Sequence, residues 1–272
     1  MIKQAIIPLA GLGTRLLPLT SVIPKELLPI NGKPNLEYIL EECIDAGIKQ
    51  FIFVVPKNRP SIKKYFFNDK FYIKILKKKK NDKKLKQVFK RIKKYQKMIK
   101  FVYQNKPEGT GDAVLKCKKY LKDKYFLMLL ADDLIIKSNC SKEMISLHKK
   151  TKASIIATKK VEKRTVSRWG ILGVKNKKKY SFSINKVIEK PLINEAPSNY
   201  AIIGRYILPK KILSVLKNQR KGKGGEVHIT DAIKTLIKSG EKFYGNIFKG
   251  EYIDCGTLDG FIKSGIKIKK YL

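Results

Sequence analysis

The tightest constraint on this chain is its opening run from Lys3 to Ile30, KQAIIPLAGLGTRLLPLTSVIPKELLPI. Its apolar start, Ala5 to Leu9, is bounded by glycine and spans under two helical turns, which predicts a buried strand rather than a helix. The chain then turns through Gly11 and Gly13, where a missing Cβ permits positive φ and lets backbone amides approach an anion. Arg15 and Lys25 follow on a loop that Pro18, Pro24 and Pro29 keep from being ordinary helix. A glycine turn with two cations beside it suits a triphosphate.

Two familiar phosphate loops do not fit. The dinucleotide fingerprint needs a third glycine where Leu16 stands, and the Walker loop needs Gly-Lys-Ser/Thr where Gly13-Thr14-Arg15 stands. What remains, G-x-G-T-R-x-x-P with K-E-x-L-P beginning at Lys25, resembles the sugar-phosphate nucleotidyltransferases, and among them the bacterial UTP–glucose-1-phosphate uridylyltransferases. That resemblance implies that Ala10, Gly11, Gly13 and Glu26 bind nucleotide and that Arg15 and Lys25 are catalytic.

Periodicity carries the reading onward. Leu36, Ile39, Leu40, Cys43 and Ile44 recur at helical spacing with Gly47 as a left-handed cap, and Gln50 to Val55 is β-rich. Such alternation implies an α/β chain with a Rossmann-like mixed, mostly parallel sheet and helices on both faces, its ligands at the carboxyl ends of the strands. A lysine-rich stretch from Phe71 to Lys100 has Asp82 as its one acid. Leu85, Val88, Phe89 and Ile92 make its second half an amphipathic helix, and the whole is read as a surface insertion rather than an anion-binding arm.

Phe101 to Gln104 returns to strand character before the turn Gly109-Thr110-Gly111 and a helix expected from Asp112 to Leu121. This resembles the family's second base-contacting segment, which implies that Gln104 and Gly109 recognise the pyrimidine; the family's usual histidine is Asp112 here. The apolar run Tyr125 to Leu130 delivers Asp132 and Asp133 at a strand end, where a buried carboxylate is costly unless it serves a cation. By resemblance, Asp132 and the later Asp254, in Y-I-D-C-G-T, are the ligands of Mg²⁺.

The second half reads as the sugar-phosphate side. Strand-like Ala153 to Ala157 and W-G-I-L-G-V precede Glu189-Lys190-Pro191 and S-N-Y-A-I-I-G-R-Y. The resemblance implies that Gly173, Glu189, Lys190, Asn199 and Gly204 bind the sugar phosphate, with Lys190 also catalytic. Gly224 to Ile233 is similar to the family's G-G-E-x-x-L-T-D-A segment. Thr230 or Asp231 is expected at a helix N-cap, and Glu226 either lines the sugar pocket or belongs to that capping arrangement.

Composition matters mainly for what it excludes. The net charge is +39, and subtracting seven arginines from 61 basic residues leaves 54 lysines. Recognition of phosphate by geometry favours arginine, so a surplus of lysine beside abundant Ile, Asn, Tyr and Phe reads as A/T codon bias rather than nucleic-acid binding. Cys43, Cys117, Cys140 and Cys255 lack C-x-x-C spacing and are expected as reduced, partly buried thiols. His148 and His228 alone make a histidine metal centre an unsuitable reading, and both are taken as structural or surface residues. No segment approaches the ~20 apolar residues of a membrane span, and with no signal-peptide pattern at the start the expected location is cytoplasmic, with no membrane partner.

The expected organisation is one nucleotidyltransferase domain over 1–272: a nucleotide-binding half at 1–135, a sugar-phosphate half at 136–260, and a C-terminal helix at 261–272 used in subunit packing. The resemblance implies uridylyl transfer from UTP to glucose 1-phosphate, a Mg²⁺-assisted in-line attack with no covalent intermediate, and a homo-oligomer. Thymidylyl or cytidylyl transfer on the same fold is the nearer alternative, and a basic nucleic-acid-binding protein the distant one.

Overall fold

The computed structural model describes residues 2–270, so Met1, Tyr271 and Leu272, which end the expected halves and helix, lie outside the described residues. In chain order the elements are β1 (Gln4–Pro8), β2 (Pro29–Ile30), β3 (Lys33–Pro34), α1 (Asn35–Asp45), β4 (Gln50–Val55), α2 (Ser61–Phe67), α3 (Asp69–Lys78), α4 (Lys83–Gln96), β5 (Ile99–Tyr103), α5 (Thr110–Lys116) and β6 (Tyr125–Leu129). The second half contributes β7 (Asp133–Ile136), α6 (Cys140–Thr151), β8 (Ser154–Lys160), β9 (Gly170–Lys175), β10 (Ser181–Glu189), β11 (Tyr200–Pro209), α7 (Ile212–Asn218), α8 (Ile229–Lys238), β12 (Phe243–Ile247), β13 (Glu251–Asp254) and α9 (Leu258–Lys269).

Nine strands form one sheet in the order β5-β4-β1-β6-β11-β8-β12-β10-β9. The first four are mutually parallel, as the alternation of strand and helix predicts. Only β10 and β11 run against the others, so the sheet is mixed and mostly parallel. Successive strand residues face opposite sides. Ile7, Phe51, Phe53, Leu127 and Leu129 pack into a core with α1, α2, α4 and α6. Ile6, Ile52, Val54, Phe126 and Met128 pack into another with α5, α7 and α8. Helices therefore cover both faces, and β4 is apolar and buried from Phe51 to Val55 because neither of its sides meets water there.

Helix limits follow local chemistry. Asp82 caps α4 by accepting from Leu85 N at 2.8 Å, and Asn139 caps α6 by accepting from Lys142 N at 2.9 Å. Gly47 follows α1 at φ 93°, as expected of a left-handed cap. The helix expected from Asp112 to Leu121 is shorter, ending at Lys116 before a 3₁₀ turn. The lysine-rich stretch is more than a surface insertion. Its inner face buries Ile92 and Tyr95 against Phe66, while Arg91 Nε lies 2.7 Å from the fully buried Glu37 Oε2. That contact is an ion pair without hydrogen-bond alignment, whereas the Tyr65 hydroxyl donates to Glu37 Oε1.

The cap expected at Thr230 or Asp231 is not formed. Helix α8 begins at Ile229, whose amide donates to Thr110 Oγ1 at 3.3 Å, so a side chain from α5 does the capping. The reason is tertiary: Val227 N donates to Glu108 O and Gly111 N to Val227 O, each at 2.8 Å, pinning the loop onto the start of α5.

Candidate active site

The site gathers at the carboxyl ends of β1, β6, β10 and β13. Asp132 stands just past β6, and Asp254 reaches it because β13 pairs with β7 in a separate ribbon whose register sets Asp254 opposite Asp133. Cys255 N donates to Asp132 O at 2.8 Å and closes the junction. Residues 122 positions apart thereby share one corner.

Cations meet these acids directly. Lys25 Nζ donates to Asp132 Oδ2 at 2.6 Å, and the Arg15 guanidinium lies 3.6 Å from Asp132 Oδ2 and 3.4 Å from Asp254 Oδ2. Burial works against the Lys25 ammonium, but Asp132 and Glu26 outweigh it and raise its pKa. Burial likewise works against ionised Asp132, and Lys25 outweighs it, lowering that carboxyl. Asp133, beside it, is pushed up to about 6 by burial and by the Asp132 charge. Asp133 accepts from Tyr252 Oη at 2.6 Å and from Gly204 N at 3.0 Å.

Two cavities adjoin here. The first, about 230 Å³, is lined by Ala10, Gly11, Lys25, Glu26, Gln104, Gly109, Asp132 and Glu226 among others. The second, about 200 Å³, is lined by Arg15, Arg168, Gly170, Glu189, Gly204, Tyr206, Thr230, Tyr252 and Asp254 among others. Leu130 and Asp132 line both, so the carboxylate stands at the joint between them.

Of the opening loop's Gly11 and Gly13, only the second takes the positive φ that the sequence predicts. Gly13 has φ +68° and starts the 3₁₀ turn that carries Arg15. At Gly11 a Cβ would meet nothing within 4 Å, so its value is an open wall toward the first cavity.

Not every sequence-predicted residue arrives. Gly173 lies outside the lining of both cavities; it sits opposite the β10 bulge, where a Cβ would come within 2.4 Å of Asn185 Oδ1. Gly170 lines the second cavity instead, with Glu189 Oε2 3.1 Å from its would-be Cβ. Asn199 donates through Nδ2 to Val161 O at 3.0 Å and also lies outside that lining. Lys190 follows Glu189 at φ 46°, its amide bonded to Trp169 O; the residue is exposed and lies outside the lining of both cavities. Glu226 lines the first cavity rather than the sugar-side one. Tyr252, Thr230, Gly170 and Asp133 line the second cavity although the sequence reading gives none of them a role in the site, Thr230 being expected only as a helix cap.

Glu26 yields a stability prediction. Burial pushes its carboxyl from 4.5 up to about 7, against the pull of Lys25. An acid raised in the folded state contributes stability that is complete below about 4.5 and lost as pH rises through about 7. Glu26→Gln should abolish that loss, so wild type should weaken relative to the variant by on the order of 3 kcal/mol between pH 4 and pH 8. Thermal unfolding of both across that range checks it, and parallel curves would remove the assignment.

The family described as nucleotidyl transferase matches residues 4–270. The chain is similar to UTP–glucose-1-phosphate uridylyltransferase 1 of Staphylococcus saprophyticus, 38% identical over 270 residues and covering 98% of this chain and 92% of that protein. It is equally similar to a UTP–glucose-1-phosphate uridylyltransferase of Streptococcus pyogenes, 38% identical with 97% and 88% covered. Among solved structures it resembles a UDP-glucose pyrophosphorylase complexed with UDP-glucose, with TM-score 0.87, 35% identity and full coverage of both chains. A UTP-bound enzyme of this type from Acinetobacter baumannii matches with TM-score 0.86 and 32% identity, covering 100% of this chain and 98% of that one.

Proposed function

We propose that this chain, which belongs to the nucleotidyl transferase family, transfers the uridylyl group of UTP to glucose 1-phosphate, giving UDP-glucose and pyrophosphate. The observation that carries the reading is the pair of adjoining cavities with Asp132 on their shared wall and Lys25 and Arg15 beside it. Two anionic reactants placed end to end in such a pair would react at the joint. The names of the relatives supply the two substrates.

A phosphate monoester is already a nucleophile, so no general base is needed. One of its oxygens attacks the α-phosphorus in line, the bond to the bridging oxygen breaks, and pyrophosphate leaves with that electron pair. The protein's work is to align two like-charged molecules and stabilise the charge that develops. Gly11 leaves room for the triphosphate, Gln104 and Gly109 face the base, and Glu189 and Gly204 border the sugar. Lys25 and Arg15, held on carboxylates in the free enzyme, are placed to exchange those partners for phosphate oxygens.

The acidic corner fits a small divalent cation. Asp132 and Asp254 converge on the same face of Gly256, where the Arg15 guanidinium now lies between them, 3.6 Å from Asp132 Oδ2 and 3.4 Å from Asp254 Oδ2. Two carboxylates suit Mg²⁺, which keeps the rest of its shell for water and phosphate. Bound there, it would neutralise phosphate charge.

The same reading extends to one domain, with 1–135 serving nucleotide and 136–260 serving sugar phosphate, and to a homo-oligomer. The latter is supported by Leu258, Ile262 and Ile266, spaced four apart along α9 and each more than half exposed. Among the described residues no helix is long and apolar enough to cross a membrane, which suits a cytoplasmic enzyme.

The test is pyrophosphate release across a panel of nucleoside triphosphates and sugar 1-phosphates; no turnover with UTP and glucose 1-phosphate would sink the reading. A kinetic division should accompany it. Lys190→Ala is expected to raise KM for glucose 1-phosphate about tenfold or more, whereas Lys25→Ala should chiefly damage UTP use and kcat. Identical patterns in the two variants would mean the two-sided cleft is wrong.

A further inference from the structure

We infer that Asp112 is the positioning residue that makes the first cavity read the N3–H edge of uracil and reject cytosine. The inference rests on the uridylyl-transfer reading above. Its basis is the amide of Gln104, whose two ends are alike in size and opposite in hydrogen bonding.

Gln104 Nε2 donates to Gly109 O at 3.1 Å and to Asp112 Oδ2 at 2.7 Å. Neither partner can donate in return: one is a backbone carbonyl, and the other a carboxylate whose Oδ1 is paired with Lys116 Nζ at 3.2 Å. Turning the amide over would set Oε1 against two oxygens with no proton between them. One orientation is therefore enforced. Gly109 alone would supply one neutral bond; Asp112 adds a shorter, charge-assisted one. The turn is held in place by Val227, whose amide donates to Glu108 O and whose carbonyl accepts from Gly111 N, each at 2.8 Å.

The free end of the amide completes the argument. Gln104 is buried and lines the first cavity, and its Oε1 accepts no hydrogen bond among the described residues. Uracil offers a donor at N3, which Oε1 complements. Cytosine offers a bare N3 lone pair, and two acceptors would then face each other at a buried amide. A mismatch of this kind is worth far more than a missing methyl group. Thymine carries the same N3–H, so the device excludes cytosine and leaves uracil against thymine to other contacts.

The experiment measures kcat/KM for UTP and CTP, with glucose 1-phosphate saturating, in wild type, Asp112→Asn, Asp112→Glu, Gln104→Ala and the Asp112→Asn/Gln104→Ala double variant. A carboxamide at 112 can donate to Oε1 as well as accept from Nε2, so Asp112→Asn should lower the UTP/CTP ratio by about tenfold or more. The change should fall on KM. Asp112→Glu, which keeps an acceptor-only group, should retain most of the ratio. In the Gln104→Ala background Asp112→Asn should change the ratio no further, because its effect passes through the lost amide. An unchanged ratio in Asp112→Asn, or an equal fall in both backgrounds, overturns the inference while leaving uridylyl transfer standing. Should Asp112→Asn fail to fold, loss of the ratio in a folded Asp112→Glu would overturn it instead. A wild type that does not turn over UTP overturns both readings together.

Discussion

Asp132→Asn is expected to leave a folded protein whose kcat has fallen by on the order of a thousandfold, equivalent to about 4 kcal/mol of lost transition-state stabilisation. The substitution is nearly isosteric, and the backbone that fixes its position, from Cys255 N to Asp132 O, is untouched. What disappears is a negative charge at the joint of the two cavities. A cation there would lose half of its protein carboxylates, and Lys25 and Arg15 would lose the group that orients them. Pyrophosphate release measures the rate and thermal unfolding reports the fold. Turnover within a few-fold of wild type in a folded variant would withdraw the assignment of this corner.

The second large effect is on stability. Arg205 is fully buried on β11. Its guanidinium donates to Glu42 Oε2 through NH2 at 3.0 Å, to Leu130 O and Gly204 O through NH1 at 3.1 and 3.2 Å, and to Asp133 O through NH2 at 2.6 Å. Those carbonyls bracket Asp132, so one side chain fixes the turn on which the site depends. Arg205→Met would leave Glu42 mostly buried with only Ser141 to serve it, at a cost of about 3–5 kcal/mol. For a chain of this size that corresponds to a fall in Tm on the order of 10 °C. Pairing it with Glu42→Gln should recover part of the loss, since no unpaired buried charge then remains. Equal destabilisation by the single and double variants would show that the carbonyl contacts, and not the ion pair, dominate.

What could be read in advance was what one segment states by itself. Gly11, Gly13, Arg15 and Lys25 lie within a single short run and Asp132 ends an apolar strand, so local pattern points to them, while Glu26 and the metal role of Asp132 come from the family resemblance. Contacts between distant segments were silent. Arg205 matters through Glu42 and Leu130, Tyr252 through Asp133, and Thr110 through Ile229, and no local periodicity links those pairs. Choosing Gly173 over Gly170 shows a subtler limit. Positions three apart on a strand face opposite sides, and which side meets the cleft is decided by the sheet as a whole. The lysine surplus misled in a milder way, since composition could not show that α4 has an inner face inserted among Phe66 and Glu37.

The placement of β11 has a consequence for how the protein comes off the ribosome. Strand β6 pairs with β1 on one edge, using residues made within the first half, but its other edge is covered by Arg205 to Pro209. A nascent chain that has emerged only through residue 135 presents four parallel strands with an open hydrogen-bonding edge, the kind of edge that invites pairing with other chains. The Asp132 turn is equally unfinished at that moment, because the guanidinium that holds its carbonyls has yet to be synthesised. Synthesis must pass residue 209 before the edge of the first half is shielded, and residue 255 before the catalytic corner is complete, because Asp254 and the Cys255 amide arrive last.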